Sequence, residues 1–164
     1  MKNILNDDEL CAVLIAQLAI ILPDLIIKGG AEEPFYEAAK DNTKAILYFR
    51  SNYPRSLLHE LAHYCLAGEK RRQIDDFGYW YIPCGRTADE QLQFEKVESR
   101  PQGLEKAMCE AVGLNFIPSL DDFSGRPSSD GFLKKLDEAY LEMLSSPPPT
   151  AKKVLKQLAN IALL

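Results

Sequence analysis

Both histidines of this chain lie in one five-residue motif, His59-Glu60-Leu61-Ala62-His63. In an α-helix, residues four positions apart lie on one face, so a helix here lets both imidazole rings converge on a single metal ion. Glu60 would lie beside the rings, within reach of a metal-bound water or a substrate group. We favour this interpretation over two unrelated histidines at helical spacing, and the motif therefore predicts a metal-binding helix.

Two histidines do not complete a protein metal site, and the chain offers no third. A carboxylate must supply the remaining ligand. Glu98, near the start of the next long predicted helix, is the best candidate. Its rivals are Glu95, Glu105 and Glu110, and Glu105 can share a helical face with Glu98 because the two are seven residues apart. The residues alone leave this choice open.

A site of two histidines and one carboxylate supports two different chemistries. With zinc it is zincin-like, and Glu60 acts as the general base of a hydrolase. With Fe(II) it is a facial triad with open positions for O2 and a substrate. The ligand types do not decide between these metals, because the affinity order of divalent ions does not determine which metal a cell loads.

The composition is that of an ordinary folded domain. Of the 164 residues, 46% are hydrophobic and 26% are charged, which excludes disorder as the main state. The 19 basic and 24 acidic residues give a net charge of −5. This balance argues against a general nucleic-acid binder, because such proteins carry a basic surplus or a basic stripe. We therefore expect no direct nucleic-acid partner.

Cysteine spacing and hydropathy indicate the compartment. The four cysteines are far apart and form no C-x-x-C pair: Cys11, Cys65, Cys84 and Cys109. They fit neither a zinc ribbon nor a disulfide framework, which favours a reducing cytoplasm. The longest apolar run, Leu10–Leu22, is too short for a bilayer and follows acidic residues where a secretory signal has basic ones. We therefore expect no membrane association. We expect this run to form a buried helix that is capped by Asn6 or Asp7 and ends at Pro23.

The rest of the pattern predicts an α+β fold in a single domain spanning residues 1–164. The predicted elements after the first helix are a short strand at Leu25–Ile27 ended by Gly29-Gly30, a surface loop over Ala31–Thr43, a strand at Ala45–Phe49, the motif helix from Ser56 to Gly68, a strand or ordered loop over Ile74–Ile82, a helix from Gln91 or Pro101 to Val112, a loop over Pro118–Asp130, and helices at Gly131–Leu144 and Ala151–Leu164. We expect a small mixed sheet with the motif helix packed against it.

An acidic and aromatic segment follows the motif helix. It contains Asp75, Asp76, Tyr79, Trp80 and Tyr81. Carboxylates pair with ammonium groups, and aromatic faces attract cations while they pack on methylenes. The segment therefore predicts a pocket for an extended cationic chain, with one or two of the aromatic rings packed on the core instead. The basic cluster just before it, which includes Arg71 and Arg72, indicates either a solvated helix end or a contact with an acidic protein partner.

Two segments of the chain match a family pattern. The first runs from His59 to Gly68 and continues through Arg71-Arg72 and Asp76–Tyr81. The second comprises Phe94–Glu98, Pro101-Gln102 and Leu104-Glu105. Together they resemble the bacterial elongation factor P hydroxylase family, and the resemblance is specific over residues 34–116.

The resemblance implies a metal-dependent hydroxylase that acts on a β-lysylated lysine of elongation factor P. It implies His59, His63 and Glu98 as the metal ligands, with Glu60 beside the metal. It also implies a compact fold similar to the YbeY family of bacterial metal-dependent ribonucleases, and the H-E-x-x-H helix makes that fold zincin-like. Cys84 departs from the pattern, because we expect an acidic residue between the proline and Gly85.

We therefore expect a cytoplasmic, iron-dependent protein hydroxylase with Fe(II) as the metal and O2 as the cosubstrate. Asp75, Asp76, Tyr79, Trp80 and Tyr81, together with Arg71 and Arg72, are the expected contacts to modified elongation factor P. The ligand order differs from the H-x-D…H order of 2-oxoglutarate oxygenases, so that cosubstrate is not implied. The alternatives are a zincin-type zinc metallopeptidase and a non-catalytic adaptor whose metal only stabilises the fold.

Overall fold

A computed structural model describes residues 5–79, 85–119 and 129–161 and confirms the α+β architecture. The elements within these ranges are, in chain order, α1 (Asp7–Ile21), β1 (Leu25–Ala31), β2 (Phe35–Glu37), β3 (Ala45–Arg50), α2 (Pro54–Arg71), a 3-10 turn (Asp75–Gly78), α3 (Ala88–Ala111), α4 (Asp130–Ser145) and α5 (Pro149–Ile161). Most of the predicted loop over Pro118–Asp130 lies outside the described residues.

The three strands form one small mixed sheet in the order β1-β3-β2. β1 and β3 pair in parallel, with Leu25 opposite Ala45, and β2 pairs antiparallel to β3, with Tyr36 opposite Leu47. Along the central strand, Ala45, Leu47 and Phe49 are buried while the residues between them are not. This alternation is typical of a strand with one face on the core. The predicted mixed sheet is confirmed.

Two details of the sheet differ from the prediction. The Gly29-Gly30 pair does not end β1, which continues to Ala31 past an irregularity in the pairing. Gly30 has φ +84° there, a conformation that a residue without a Cβ adopts readily, so the glycines bend the strand and do not stop it. The predicted surface loop also contains β2, whose three residues are too short to give a periodic signal.

The helix ends follow local capping chemistry. Asn6 caps α1, because its Oδ1 accepts the N–H of Glu9 at 2.9 Å and Oε2 of Glu9 accepts the N–H of Asn6 at 2.9 Å. The predicted break at Gly68 is present, with φ +72°, but α2 resumes for one further turn. α3 is one helix that begins at Ala88, three residues before the predicted start at about Gln91, and it continues through Pro101. Its packing on α2, α4 and α5 holds it together where the proline removes a hydrogen bond.

The core lies between the sheet and the helices, and α2 contributes a fully apolar face to it. Leu57, Leu58 and Leu61 are completely buried, and α2 packs against β3. The expected packing of the motif helix against the sheet is therefore confirmed. No helix in the described ranges is long and apolar enough to cross a membrane. The likeness to YbeY or to zincins, and the single domain, stay predictions.

Helices α3 and α4 meet at Gly103. A Cβ added there would lie 2.7 Å from the Cβ of Ala139 and 2.7 Å from the backbone nitrogen of Tyr140. Because a packed helix backbone does not yield easily, Gly103→Ala is expected to destabilise the fold by about 1–3 kcal/mol. Gly131→Ala is the matched control, since nothing lies within 4 Å of its added Cβ. The control should be neutral or stabilising by up to about 1 kcal/mol. Urea unfolding measures both, and equal stabilities would contradict the close packing.

Candidate metal centre

α2 directs both histidines toward α3. The buried leucines of its apolar face fix the rotation of the helix about its own axis. One turn apart on the neighbouring face, the side chain of His59 is 24% exposed and that of His63 is 7% exposed. The two rings meet edge to face, with 4.8 Å between their centroids. The two imidazoles therefore converge, as the motif predicts.

α3 brings a stripe of polar side chains to the same place. Glu98, Gln102 and Glu105 are spaced by four and three residues and so share one helical face. All three are buried, with exposed fractions of 2%, 1% and 6%. Carboxylates are rarely buried unless they are paired or bind a metal. The stripe therefore requires positive partners, and the histidines of α2 lie opposite it.

The ligand atoms have the spacing of a metal site. Nε2 of His63 lies 3.2 Å from Nε2 of His59 and 3.1 Å from Oε1 of Glu98. Nε2 of His59 lies 3.6 Å from Oε2 of Glu98. Across the described residues, one ligand atom from each of these three residues lies within 4.8 Å of the others. Two ligands about 2.1 Å from one ion, at angles of about 90–110°, would lie roughly 3.0–3.4 Å apart. The three side chains therefore fit a metal ion.

Glu98 presents an oxygen that lacks a hydrogen bond. Within the described part of the chain, its buried Oε1 has no hydrogen-bond partner. Its Oε2 lies 3.4 Å from the amide nitrogen of Gln102. The same amide group pairs with the peptide of Ser119, donating to its carbonyl at 2.6 Å and accepting from its N–H at 2.9 Å. Gln102 is thus fixed by the backbone and in turn steadies Glu98, whose Oε1 faces Nε2 of His63 at 3.1 Å.

The charges in the cluster stabilise one another. Burial opposes the ionisation of Glu98, but the charges of His63 and His59 outweigh it and lower the pKa of Glu98 to about 2. Burial also opposes the protonation of His59, but the hydrogen bond and charge of Glu105, with the charges of Glu98 and Glu60, raise the pKa of His59 to about 10. A bound metal would replace the imidazole protons as the source of positive charge.

The charged groups of the same cluster act on the carboxyl group of Glu60. Burial raises the pKa of its carboxyl above the usual value, while the charges of His59 and His63 oppose that rise. The charges of Glu98 and Asp76 add to it. A carboxyl group with a raised pKa holds a proton more readily than an exposed glutamate does, which suits it to proton transfer.

The rival carboxylates of α3 are engaged elsewhere. Oε2 of Glu105 lies 2.8 Å from Nδ1 of His59, on the other side of the ring from Nε2. Glu95 accepts a hydrogen bond at 2.9 Å from the serine hydroxyl that caps α4. Glu110 accepts one from a tyrosine hydroxyl on α4. Among these four glutamates, Glu98 is the one with an oxygen directed at the Nε2 atoms.

The described part of the segment predicted as a strand or ordered loop, residues 74–79, contains a tight turn against the sheet. We call Asp75–Gly78 the acidic turn. Oδ1 of Asp75 accepts the N–H of Ala38, and Oδ1 of Asp76 accepts the N–H of Tyr36, each at 2.9 Å. These bonds satisfy donors on the outer edge of β2, which would otherwise invite pairing with another chain. The two aspartates therefore have a structural role in addition to any contact with a substrate.

The two aspartates differ in what they leave available. The second oxygen of Asp75 pairs with Nζ of Lys40 at 3.1 Å. In the part of the chain that the structure describes, the second oxygen of Asp76 has no such partner. Burial raises the pKa of Asp76, and the amide of Tyr36 and the charge of His63 act in the opposite direction. The charge of His63 therefore acts on Asp76, which couples the acidic turn to the centre electrostatically.

The backbone of the acidic turn is strained. Asp76 and Phe77 have φ angles of +48° and +58°, in the left-handed region that residues with a Cβ seldom adopt. Packing holds this conformation, because buried Phe77 stacks on Tyr36 with 4.2 Å between ring centroids. Its carbonyl also accepts a hydrogen bond from Arg71 at 3.1 Å. Strain of this kind is most often retained at functional sites.

Arg72, which is predicted to contact the substrate, makes its described contacts within the protein. Its guanidinium lies 4.3 Å from the ring centroid of Tyr64 and donates to the backbone carbonyls of Tyr64 and Cys65. It also donates to the hydroxyl of Thr150 at 3.1 Å. These contacts tie the end of α2 to the part of the same helix about two turns earlier and to α5, so Arg72 stabilises the fold.

Arg71 and Tyr79 lie next to the histidines. The guanidinium of Arg71 lies 4.5 Å from the ring centroid of Tyr79. The ring of Tyr79 in turn approaches that of His63 edge to face, at 6.4 Å between centroids. Tyr79 is therefore a wall of the centre, held by Arg71. The predicted contacts Trp80 and Tyr81, and also Cys84, lie outside the described residues.

The sequence analysis assigns no supporting role to two residues of the centre. Gln102 and Glu105 both belong to the family pattern, and Glu105 is also a candidate third ligand, but neither is predicted to support a ligand. The signal that could have found both was the spacing of Glu98, Gln102 and Glu105, which places three polar side chains on a face that must meet the histidine helix. When a helix packs against other helices on both sides, a stripe of polar residues along it predicts a buried network of polar contacts.

The comparisons with known proteins agree on one family. The family model for EpmC, elongation factor P hydroxylase, matches residues 23–161. The chain is also 44% identical over 103 residues to the elongation factor P lysine hydroxylase of Haemophilus influenzae (strain ATCC 51907 / DSM 11121 / KW20 / Rd). That alignment covers 62% of this chain and 57% of the relative, so the chain spans little more than half the length of that protein. Because the family match extends over most of its length, the chain belongs to the elongation factor P hydroxylase family.

Proposed function

We propose that this protein is a metal-dependent monooxygenase that hydroxylates a β-lysylated lysine of elongation factor P. The observation that carries the proposal is the convergence of His59, His63 and Glu98, in which the buried Oε1 of Glu98 lies 3.1 Å from Nε2 of His63, in a chain of this family. The name of the Haemophilus relative specifies a lysine of the same factor. The β-lysyl extension rests on the resemblance described in the sequence analysis.

Fe(II) is the metal of the proposal, held by His59, His63 and Glu98. Two histidines and a carboxylate on one side of an iron ion leave positions for O2 and a substrate, and bound Fe(II) would supply the activation of O2. Hydroxylation inserts one oxygen atom into a C–H bond and reduces the other to water, which consumes two electrons from a reductant. 2-Oxoglutarate is not part of the proposal.

The chain's own residues orient the reacting groups. Gln102 steadies the carboxylate of Glu98 through Oε2, and it is fixed in turn by the peptide of Ser119. Glu60 supplies a carboxyl group beside the metal position, where burial raises its pKa. Such a group can hold a proton or orient a water or substrate group. Its role in a hydroxylase is therefore positioning and proton transfer.

The substrate side chain is long, flexible and positively charged. Asp76 offers a carboxylate oxygen to an ammonium group close to His63, and the ring of Tyr79 offers an aromatic surface beside it. Trp80 and Tyr81 follow directly in the chain and remain part of the proposed pocket. We leave out Asp75 and Arg72, because their polar atoms are bonded within the protein.

The proposal includes the setting of the reaction. Elongation factor P is the partner, and the cytoplasm is the compartment. Because the chain carries a net charge of −5, no direct contact with nucleic acid is included. A fold similar to that of the YbeY ribonucleases and zincins also belongs to the proposal.

Loss of the third ligand is expected to abolish metal binding. Glu98→Ala should weaken Fe(II) binding more than about 100-fold, since losing only an outer partner of a ligand already costs about 10–100-fold. His59→Ala and His63→Ala should do the same. Glu110→Ala, an exposed position on the same helix, is the control and should keep the metal. Metal analysis of protein purified without oxygen measures this, with circular dichroism to check folding. Wild-type metal content in Glu98→Ala would contradict the assignment.

Glu60 distinguishes the hydroxylase from a peptidase. A zinc peptidase that loses its general base loses about 10²–10⁴-fold in rate. We expect Glu60→Gln to keep the metal and to retain reduced but measurable hydroxylation of modified elongation factor P, detected by mass spectrometry. We also expect the zinc-loaded wild type to cleave no peptide bond. Peptide cleavage that disappears in Glu60→Gln would favour the peptidase, and metal binding without either reaction would favour the adaptor.

The two aspartates of the acidic turn provide a matched pair of variants. Asparagine keeps an Oδ1 acceptor, so Asp76→Asn and Asp75→Asn should both preserve the bonds to β2. Removing the charge of Asp76 is expected to raise KM for the modified factor roughly 10–100-fold with little change in kcat, the range of a charged hydrogen bond. Asp75→Asn should leave KM unchanged. Steady-state kinetics tests this, and an equal effect of both changes would exclude Asp76 as the ammonium contact.

A further inference from the structure

Glu105 is a buried carboxylate of the centre that lies outside the candidate ligand group. It is 6% exposed, and its Oε2 lies 2.8 Å from Nδ1 of His59. Among the described residues, the side chains whose ligand atoms converge are His59, His63 and Glu98. Glu105 therefore contacts His59 from the side of the ring that faces away from the metal position.

The proton position on His59 decides whether Nε2 can bind a metal. A neutral imidazole carries its proton on one nitrogen and an available lone pair on the other. An ionised carboxylate accepts a hydrogen bond and donates none, so Glu105 keeps the proton on Nδ1. Nε2 lies 3.2 Å from Nε2 of His63 and 3.6 Å from Oε2 of Glu98, and it is then the nitrogen whose proton a metal ion would displace.

We propose that Glu105 is a positioning residue that fixes the tautomer and the ring orientation of His59 for metal binding through Nε2. This inference rests on the proposed metal site. Glu98 and Glu105 lie two helical turns apart on one face of α3, so one carboxylate is close to each nitrogen of the same ring. The burial of Glu105 limits competition from water at Nδ1. Partners of this kind fix the orientation of metal-binding histidines and strengthen them as donors.

Zinc is a suitable probe, because it is diamagnetic and binds imidazole nitrogen. The chain contains only two histidines, so ¹⁵N-histidine labelling gives a spectrum of His59 and His63 alone. Long-range ¹H–¹⁵N spectra of the zinc-loaded protein report which nitrogen carries the proton and which binds the metal. Competition with a chelator of known affinity gives the dissociation constant for zinc.

We expect zinc bound through Nε2 of His59 in the wild type, with a proton on Nδ1. Glu105→Ala should weaken zinc binding about 10–100-fold and remove the fixed Nδ1–H signal of His59. Glu105→Gln keeps an acceptor at Nδ1 and a similar shape, so it should preserve binding through Nε2 with a smaller loss of affinity. This variant keeps the test valid if Glu105→Ala does not fold. Glu110→Gln, exposed on the same helix, should bind zinc like the wild type.

The results separate this inference from the proposed function. Unchanged zinc affinity in Glu105→Ala, or zinc bound through Nδ1 of His59 in the wild type, would overturn the role of Glu105 and leave the metal site standing. A wild-type protein that binds neither zinc nor Fe(II) would overturn the metal site itself, and with it the role of Glu105.

Discussion

The contact between α2 and α3 governs this structure, because it buries two carboxylates against two histidines. Taking a carboxylate out of water costs several kcal/mol unless compensating partners are in place. Glu98 and Glu105 are both buried on α3, and their positive partners lie on α2. The two helices therefore need each other in register. A rotation of either helix would leave a charge buried without a partner, which is among the most destabilising changes a protein can undergo.

Each helix of this pair is fixed from behind by apolar packing. α2 packs on β3 through its buried leucines, and this packing determines the side of α2 on which the histidine side chains lie. α3 is held by α4 at Gly103, between Gln102 and Glu105, where the absence of a side chain allows the backbones to come close. Gln102 adds a second support, because its amide group pairs with the peptide of Ser119. The polar centre is thus rigid because hydrophobic contacts on its outer sides leave the helices little freedom.

The candidate metal ligands can be predicted from the sequence more clearly than the rest of the molecule. The H-E-x-x-H spacing and the helical period predict that His59 and His63 converge. Because the chain has no third histidine, the sequence also predicts a carboxylate as the remaining ligand. The choice of Glu98 over Glu105 needed the family resemblance, since both lie on one helical face. What distinguishes them physically is which nitrogen of His59 each one approaches, and that depends on how α2 and α3 pack.

Other features escaped prediction for the same reason. Three residues of β2 are too few to show a period, and the continuity of α3 through Pro101 comes from tertiary contacts that outweigh a local helix breaker. The acidic turn is the clearest case. Phe77 has no preference for a left-handed backbone, and although aspartate adopts it more often than most residues, nothing in the sequence predicts two such residues in a row. The stacking on Tyr36 and the bonds to β2 stabilise that conformation.

The acidic turn also links the sheet to the chemistry of the centre. Along an extended chain, the N–H groups of residues two apart point to the same side. Tyr36 of β2 and Ala38, which directly follows β2, therefore present two donors in a row beside the free edge of the sheet. Two consecutive aspartates, Asp75 and Asp76, accept hydrogen bonds from both donors. The backbone of Asp76 is in the left-handed region. Since Oδ1 of Asp76 is tied to the sheet, the position of its second oxygen is set by the fold. In the proposed function, a carboxylate held in this way loses little conformational freedom when an ammonium group binds, so the strained turn would act by preorganising Asp76.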